Sequence, residues 1–367
     1  MRLLRGYRVL LVVTVCAASA SHGALQSEPV EPPYTVHGVI VLPAEGSLPE
    51  GAADAYATLI ADVQAFFANE MERHGYGRRT FTHELDADTG LPKLHVVQAE
   101  VSRELLAEGT TRQHHDKLIG QAIMAGLGVD TPGQVWMILS ETWTQAEDGS
   151  LDDIVALGIR GRRDGNENNG VGVRNGPILQ AVRTNAIDDD SGLIGTTWDV
   201  LGPQPLTIDS FRWFEHATRS GLASSMIGSF AHELGHAFGL LHVYENDRLW
   251  TGDLLDDRRG VHFGVLMGNG FRAWRSWVEP SVFSTPETPE VVSIDASSAA
   301  LLSLSPFFDG SDPSADPTPP VLAAAPLTAF DADSSTVTVA ASVSDAESGI
   351  ACVQLYNGIE VVWTRLY

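Results

Sequence analysis

The chain has 367 residues, of which 44% are hydrophobic and 19% are charged, and its formal net charge at pH 7 is −24. This length and composition are typical of a folded protein with a sizeable core and one or two domains, and they exclude a wholly disordered chain. A chain this acidic would be repelled by the phosphates of nucleic acid and by anionic membrane surfaces, so neither is an expected partner.

The first twenty residues have the organisation of a secretory signal peptide. MRLLRGYR carries three arginines and no acid, an apolar stretch follows, and Ala18-Ser19-Ala20 fits a cleavage site. The apolar stretch is about twelve residues long, whereas a bilayer span needs about 20. Residues 1–20 therefore predict export to the extracellular space or the periplasm without stable membrane insertion. The mature chain would keep only Cys352, which excludes an intrachain disulfide.

After a leader at 21–33, the first half of the chain alternates between β and α patterns. The stretch from Tyr34 to Leu42 is β-rich, and apolar residues at helical spacing predict a helix from about Ala53 to His74, which Gly75 would end. The further elements predicted here are a hairpin of Thr80–Leu85 and Lys93–Gln98, a helix at about 101–124, a strand at Val135–Leu139 and a strand at Asp153–Ile159.

Two clusters of aspartates could bind calcium, but turn chemistry explains both. Asp86-x-Asp88-x-Gly90 resembles the beginning of a calcium loop, yet the twelfth position is Val97 instead of the required glutamate. Asp188-Asp189-Asp190 is interpreted as a solvated turn. The sequence therefore lends no support to a structural calcium site.

The second half is less regular. Residues 160–218 lack a periodic pattern and are predicted to be a long irregular region, after which a helix begins near Gly221. Residues 243–308 contain few strong elements apart from Ala296–Leu304, and 309–320 have the composition of a linker. The tail at 321–367 is β-rich, with strands predicted at Thr336–Ser342, Ile350–Tyr356 and Ile359–Trp363. It resembles the opening strands of bacterial immunoglobulin-like modules but is shorter than the roughly 100 residues of a whole sandwich.

The stretch AHELGHAFGLLH at 231–242 has the spacing of a metal site. His232 and His236 are four residues apart and share one helix face, where two imidazoles can reach the same ion at about 2.0–2.1 Å. Gly239 permits the left-handed backbone that ends a helix, after which His242 can approach from another direction. Three imidazoles leave a position open for water, as in catalytic zinc sites. By chance, this set of residues at these offsets would occur in about one chain in 10⁴ of this composition.

With the downstream stretch Val265-Leu266-Met267-Gly268, the pattern His-Glu-x-x-His-x-x-Gly-x-x-His resembles the metzincin zinc metallopeptidases. The resemblance implies an α+β zincin-like domain at 34–308, with a twisted mixed sheet and an active-site helix. It implies one catalytic Zn²⁺ held by His232, His236 and His242, with Glu233 as general base and Met267 in a hydrophobic turn beneath the metal. Val243 and Asn269 match no subfamily hallmark, so the subfamily is not assigned.

The expected function is hydrolysis of a protein or peptide substrate. Ile154–Ile159 is predicted to be the edge strand along which an extended peptide pairs. Two alternatives remain: an adhesive or surface-binding protein that keeps the fold and the metal without proteolysis, and a zinc hydrolase acting on a non-protein bond. The sequence does not indicate cleavage specificity or oligomeric state. The other histidines have no ligand spacing, and adjacent His114 and His115 are predicted to be surface residues.

Overall fold

The computed structural model describes residues 11–17, 34–145, 147, 151–152, 156–160, 169–201, 203–206, 218–243, 265–268, 270–279, 291–309 and the strands of the tail between 321 and 366. The predicted leader at 21–33, the linker residues 310–320 and Asn269 lie outside this set. So do residues 153–155 of one predicted strand.

The strands, in chain order, are β1 (Leu11–Ala17), β2 (Thr35–Leu42), β3 (Leu94–Gln98), β4 (Gln134–Ser140), β5 (Thr144–Gln145), β6 (Leu151–Asp152), β7 (Ala156–Arg160), β8 (Gly170–Asn175), β9 (His242–Val243), β10 (Val321–Ala324), β11 (Ala329–Asp331), β12 (Thr336–Thr338), β13 (Ala341–Ser344), β14 (Ile350–Asn357) and β15 (Glu360–Leu366). The α-helices are α1 (Ala52–Arg73), α2 (Arg103–Ala107), α3 (Thr111–Met124), α4 (Ile178–Arg183), α5 (Arg219–Ala237), α6 (Trp274–Val278), α7 (Ala296–Ser303) and α8 (Pro306–Asp309). Short 3₁₀ turns are formed by Ala186–Asp188 and Gly270–Ala273.

A five-stranded mixed sheet forms the centre of the fold, in the order β3-β2-β4-β8-β7. The first four strands are parallel, and β7 runs antiparallel to β8 at the edge. The predicted mixed sheet is therefore confirmed, as is the edge position of the strand predicted near Ile159. The apolar runs of β2 and β4 fit their positions, since inner strands of parallel sheets are covered on both faces.

Two hydrophobic cores cover the two faces of this sheet. Val36 and Ile40 of β2 point into the larger core, which contains side chains of α1 and α5. Val39 and Val41, at alternate positions of the same strand, point into a smaller core with Leu118 and other α3 side chains. Helices α3 and α5 therefore lie on opposite faces of the sheet.

The predicted hairpin and the long predicted helix both differ from the structure. Leu85 and Pro92 do form an antiparallel bridge, but β3 pairs in parallel with β2. The stretch at 101–124 is two helices, because Gly109 has φ +105 and Thr110 starts α3 with a capping box. Asp86 accepts hydrogen bonds from the backbone of Asp88 and Thr89, as the turn interpretation expects.

The prediction of an irregular region at 160–218 is wrong, because β8 and α4 lie within it. Glycines in β8 disguise the strand, since their lack of side chains removes the usual alternation. These glycines face α5. A Cβ on Gly170 would lie 2.1 Å from the carbonyl oxygen of Ala237, and one on Gly172 would lie 2.3 Å from Sδ of Met137. The strand is therefore glycine-rich because α5 and Met137 pack directly on its backbone.

The prediction that His114 and His115 lie on the surface is also wrong. Their residues are only 1% and 0% exposed, because α3 packs between the sheet and α2. Nε2 of His114 lies 2.7 Å from Oγ1 of Thr142. Burial lowers the pKa of each imidazole to about 4, so both side chains are neutral at pH 7.

The C-terminal end of α1 is joined to a distant part of the chain. The carboxylate of Glu70 is 6% exposed, accepts a hydrogen bond from the backbone N–H of Ile294 at 2.7 Å, and pairs with Arg73 at 2.7 Å. The Arg73 guanidinium also donates to the carbonyl oxygen of Ile294. The buried carboxylate of Glu70 thus has both a hydrogen-bond donor and a cationic partner, which offset the cost of burying its charge.

The tail strands predicted at Ile350–Tyr356 and Ile359–Trp363 correspond to β14 and β15, whereas the single strand predicted at Thr336–Ser342 is two strands, β12 and β13, which pair with different partners. A four-stranded sheet has the order β1-β14-β15-β9, so β15 lies beside the His242–Val243 strand and β1 beside β14. Strand β1 lies within residues 1–20, the predicted signal peptide, and the cleavage of that peptide stays a prediction. No helix among the described residues combines the length and hydropathy needed to cross a bilayer.

Candidate metal centre

Helix α5 carries the predicted site residues and is almost completely enclosed. The Thr218 side chain caps its first turn by accepting from the N–H of Gly221 at 3.1 Å. Small residues let the surrounding elements approach closely: a Cβ on Gly158 of β7 would lie 2.3 Å from the carbonyl oxygen of Glu233 and 2.6 Å from Cβ of His236. The backbone of the edge strand therefore lies directly against the turn of α5 that bears these residues.

The helix ends at the position that Gly239 predicts. Gly239 has φ +95, and its N–H donates to the carbonyl of His236, while the N–H of Leu240 donates to the carbonyl of Gly235. These two bonds form a Schellman motif, in which a left-handed residue reverses the chain after the last turn. The reversal brings His242 back toward α5.

The three predicted histidines converge. Nε2 of His242 lies 3.1 Å from Nε2 of His232 and 3.0 Å from Nε2 of His236. A common ion at about 2.0–2.1 Å from each nitrogen in tetrahedral geometry would place them about 3.3 Å apart, close to these distances. The three rings therefore surround a single point.

The opposite ring nitrogens show which tautomers are present. Nδ1 of His232 donates to the carbonyl oxygen of Leu266 at 2.6 Å, and Nδ1 of His236 donates to that of Leu240 at 2.8 Å. Since a carbonyl only accepts, each Nδ1 carries the proton and each Nε2 presents a lone pair. The lone pairs of His232 and His236 therefore point toward Nε2 of His242, where a cation could bind all three nitrogens, and such backbone bonds orient histidine ligands in metal sites. The residues therefore fit a zinc ion.

Burial keeps these imidazoles neutral, which is the form that binds metals. It lowers the pKa of His232 well below its ordinary value, that of His236 to about 4, and that of His242 as well. In the first two, the neighbouring imidazoles lower the pKa further.

Glu233 is 8% exposed and follows the first histidine on α5. Burial raises the pKa of its carboxyl group to about 8, although the Arg174 guanidinium and a hydrogen bond from the N–H of Gly158 both oppose the rise. The carboxyl group is thus held beside the three imidazoles, in a position where it can accept and return a proton.

Met267 lies beneath the metal-binding turn of the helix. It is fully buried, and its Sδ would lie 2.5 Å from a Cβ on Gly235, so the thioether contacts the helix backbone there. The turn is closed by the N–H of Gly268, which donates to the carbonyl of Val265 at 3.0 Å. The carbonyl of the intervening Leu266 is the one that orients His232, so this turn also positions a ligand.

Arg174 and Gly158 also belong to the site, and no motif in the amino-acid sequence indicates either of them. Arg174 lies on β8, is 5% exposed, and has its pKa lowered to about 10 by burial, with Glu233 opposing the change. Gly158 lies on β7, a strand that the sequence predicts, and Arg174 lies on β8, whose alternating glycines disguise the strand. The contact of either residue with Glu233 can be recognised only when the position of α5 is known.

Comparisons with known proteins find no matching family model and no matching curated protein. Solved structures similar to this chain include OgpA from Akkermansia muciniphila, in a catalytically inactive form bound to the O-glycopeptide substrate glycodrosocin. This match has 15% identity and a TM-score of 0.49 and covers 94% of this chain and 88% of OgpA. Two wild-type OgpA structures match with TM-scores of 0.47 and 0.46, identities of 16% and 15%, and coverage of 93% of this chain and 76% and 91% of theirs. Likeness at this level assigns no activity to the chain.

Proposed function

We propose that this chain is a secreted zinc-dependent endopeptidase of the metzincin type, with a zincin-like fold over residues 34–308. His232, His236 and His242 hold the metal, and Glu233 is the general base. The observation that carries the proposal is the convergence of three neutral imidazole nitrogens, 3.0 and 3.1 Å apart, next to a buried carboxyl group.

Zinc, when bound, supplies a water of lowered pKa and polarises a carbonyl oxygen. Glu233 accepts a proton from the attacking water on its carboxylate oxygen and passes it to the leaving amine. Its pKa of about 8 in the absence of a cation falls when a dication is held nearby, because opposite charge favours the carboxylate. The N–H of Gly158 holds this carboxyl group in place.

The substrate would bind along β7. This strand pairs with β8 on one side, and no described strand pairs with its other side. An extended peptide can add to such an edge through main-chain hydrogen bonds. Because Gly158 of β7 packs against Glu233 and His236, a peptide on this edge would lie next to the proposed metal. A peptide substrate fits these features better than nucleic acid, which the acidic composition disfavours.

Secretion is proposed from the signal-like residues 1–20. N-terminal sequencing of the exported protein should then begin at Ser21. A mature N-terminus that retains the apolar stretch would contradict the proposed cleavage.

Catalysis is tested with the exported, zinc-loaded protein on a broad peptide library. Cleavage should stop on chelation and return with zinc, and Glu233→Gln should lower the rate by about 10²–10⁴-fold, the usual contribution of a general base. Glu72→Gln is the matched control, because Glu72 is an exposed carboxylate at the far end of α1. Full activity of Glu233→Gln would contradict its role, and a zinc-loaded protein that cleaves no peptide would favour a binding protein or a hydrolase of other bonds.

A further inference from the structure

A second group of metal-type ligands lies outside the site described above. His37, Glu84 and His95 place their donor atoms within 4.8 Å of one another. Oε2 of Glu84 lies 2.6 Å from Nδ1 of His37 and 2.7 Å from Nε2 of His95. No short sequence motif contains these residues, because 47 positions separate His37 from Glu84.

Three neighbouring backbone segments deliver these side chains. His37 lies on β2 and His95 lies on β3. Glu84 lies next to β2, because its own backbone N–H donates to the carbonyl oxygen of Val36 at 2.9 Å. The parallel register pairs Val39 with His95, which puts the two imidazoles on the same face of the sheet. The ligands are therefore held by the sheet, as a preformed site requires.

This face is the one that α3 covers. His37 alternates with Val36 and has the same parity as Val39 and Val41, whose side chains lie in the α3 core. The predicted catalytic helix α5 belongs to the opposite face. The two groups of ligands are thus separated by the sheet and share no residue.

Neighbouring side chains restrict the geometry further. The ring of Trp136 stacks on His37 with centroids 4.6 Å apart and lies 5.5 Å from the His95 ring. The other carboxylate oxygen of Glu84 accepts from Nζ of Lys93 at 2.8 Å. Hydrogen bonds to a ligand's remaining atoms are typical of metal sites, where they fix the direction of the ligating lone pair.

We propose that His37, Glu84 and His95 form a second binding site for a zinc-like divalent cation. Two imidazoles and one carboxylate are a ligand set that zinc accepts, with water at the fourth position. The side chains of Glu84 and His95 are 24% and 21% exposed, so solvent reaches the site. Binding would widen the two short contacts from 2.6 and 2.7 Å to about 3.3 Å, a change that side-chain rotation can supply. The ion would join β2, β3 and the segment at Glu84.

Zinc stoichiometry tests the proposal without reference to catalysis. The full protein is stripped with a chelator, reloaded with zinc, passed through a desalting column and analysed for metal by mass spectrometry. The wild type should hold two equivalents, and Glu84→Gln, His95→Asn and His236→Asn should each hold one. The double variant of Glu84→Gln with His236→Asn should hold none. Glu72→Gln, which neutralises an exposed carboxylate, should hold two.

A second measurement uses thermal unfolding in the His236→Asn background. Zinc should raise the melting temperature there, and the added Glu84→Gln substitution should abolish the rise, because a ligand stabilises only the state that binds it. Circular dichroism is recorded for each variant to check that it is folded. A wild type that holds only one equivalent, removed by His236→Asn, would overturn the proposal. Retention of the second equivalent in both Glu84→Gln and His95→Asn would overturn it as well. Failure of peptidase activity would leave this result unaffected.

Discussion

Replacement of Gly158 by alanine should displace α5 and weaken the proposed metal centre. A Cβ there would lie 2.3 Å from the Glu233 carbonyl oxygen and 2.6 Å from Cβ of His236, whereas ordinary contact begins at 3.4 Å. Strand and helix must therefore separate by about 1 Å, since neither the helix carbonyl nor the strand backbone can rotate away. Overpacking of this kind costs about 1–3 kcal/mol of unfolding free energy.

The same displacement moves one metal ligand and the proposed base. A shift of about 1 Å in a catalytic group can lower the rate about 10²-fold. Gly192→Ala is the matched control, because no atom lies within 4 Å of its added methyl group and its φ is not positive. The assays are urea unfolding and zinc affinity, followed by peptide cleavage. If Gly158→Ala matched Gly192→Ala within about 0.5 kcal/mol and bound zinc as the wild type does, the close backbone contact would be refuted.

Three further substitutions test other parts of the structure. Burial raises the pKa of Glu141 from 4.5 to about 7, so its contribution to stability is fully present below pH 4.5 and is lost as the pH rises through 7. Glu141→Gln should remove up to about 3 kcal/mol of the difference in unfolding free energy between pH 5 and pH 8, and an unchanged pH dependence in urea unfolding would contradict this. Gly120→Ala should stabilise the protein by about 0.5–1 kcal/mol, because Gly120 lies within α3 and no atom lies within 4 Å of its added methyl group; a lower unfolding free energy would show that this space is filled. Met267→Ala should cost about 2–5 kcal/mol and Met267→Leu less than about 1.5, since Met267 is fully buried, and equal losses in thermal unfolding would argue against a cavity.

The helices and strands that the sequence predicts correctly are those whose pattern of residues lies within one short stretch of the chain. The helical spacing of apolar residues gave α1 within one residue at each end, and the run before Ser140 gave β4. The spacing of His232, Glu233 and His236, with Gly239, predicted both the shared helix face and the reversal that returns the third histidine. Each of these features depends on residues within about a dozen positions of one another.

Features that depend on tertiary packing could not be predicted. The glycines of β8 are explained by their close packing against α5, which lies about sixty positions further along the chain. His114 and His115 are both buried, because α3 packs between the sheet and α2. The His37 cluster depends on the register of parallel strands, which the sequence does not specify. In each case the deciding contact joins segments that are distant in sequence.

The Glu70–Ile294 hydrogen bond has a consequence for the timing of folding. The two residues are 224 positions apart, so at about 5–20 residues per second the ribosome adds the second roughly 10–45 s after the first. During that interval the Glu70 carboxylate lacks its buried partner, and the apolar side chains around it have no cover from the later segment. This part of the core therefore cannot be completed until residue 294 has been added, and apolar surface exposed during such an interval is the kind that chaperones bind.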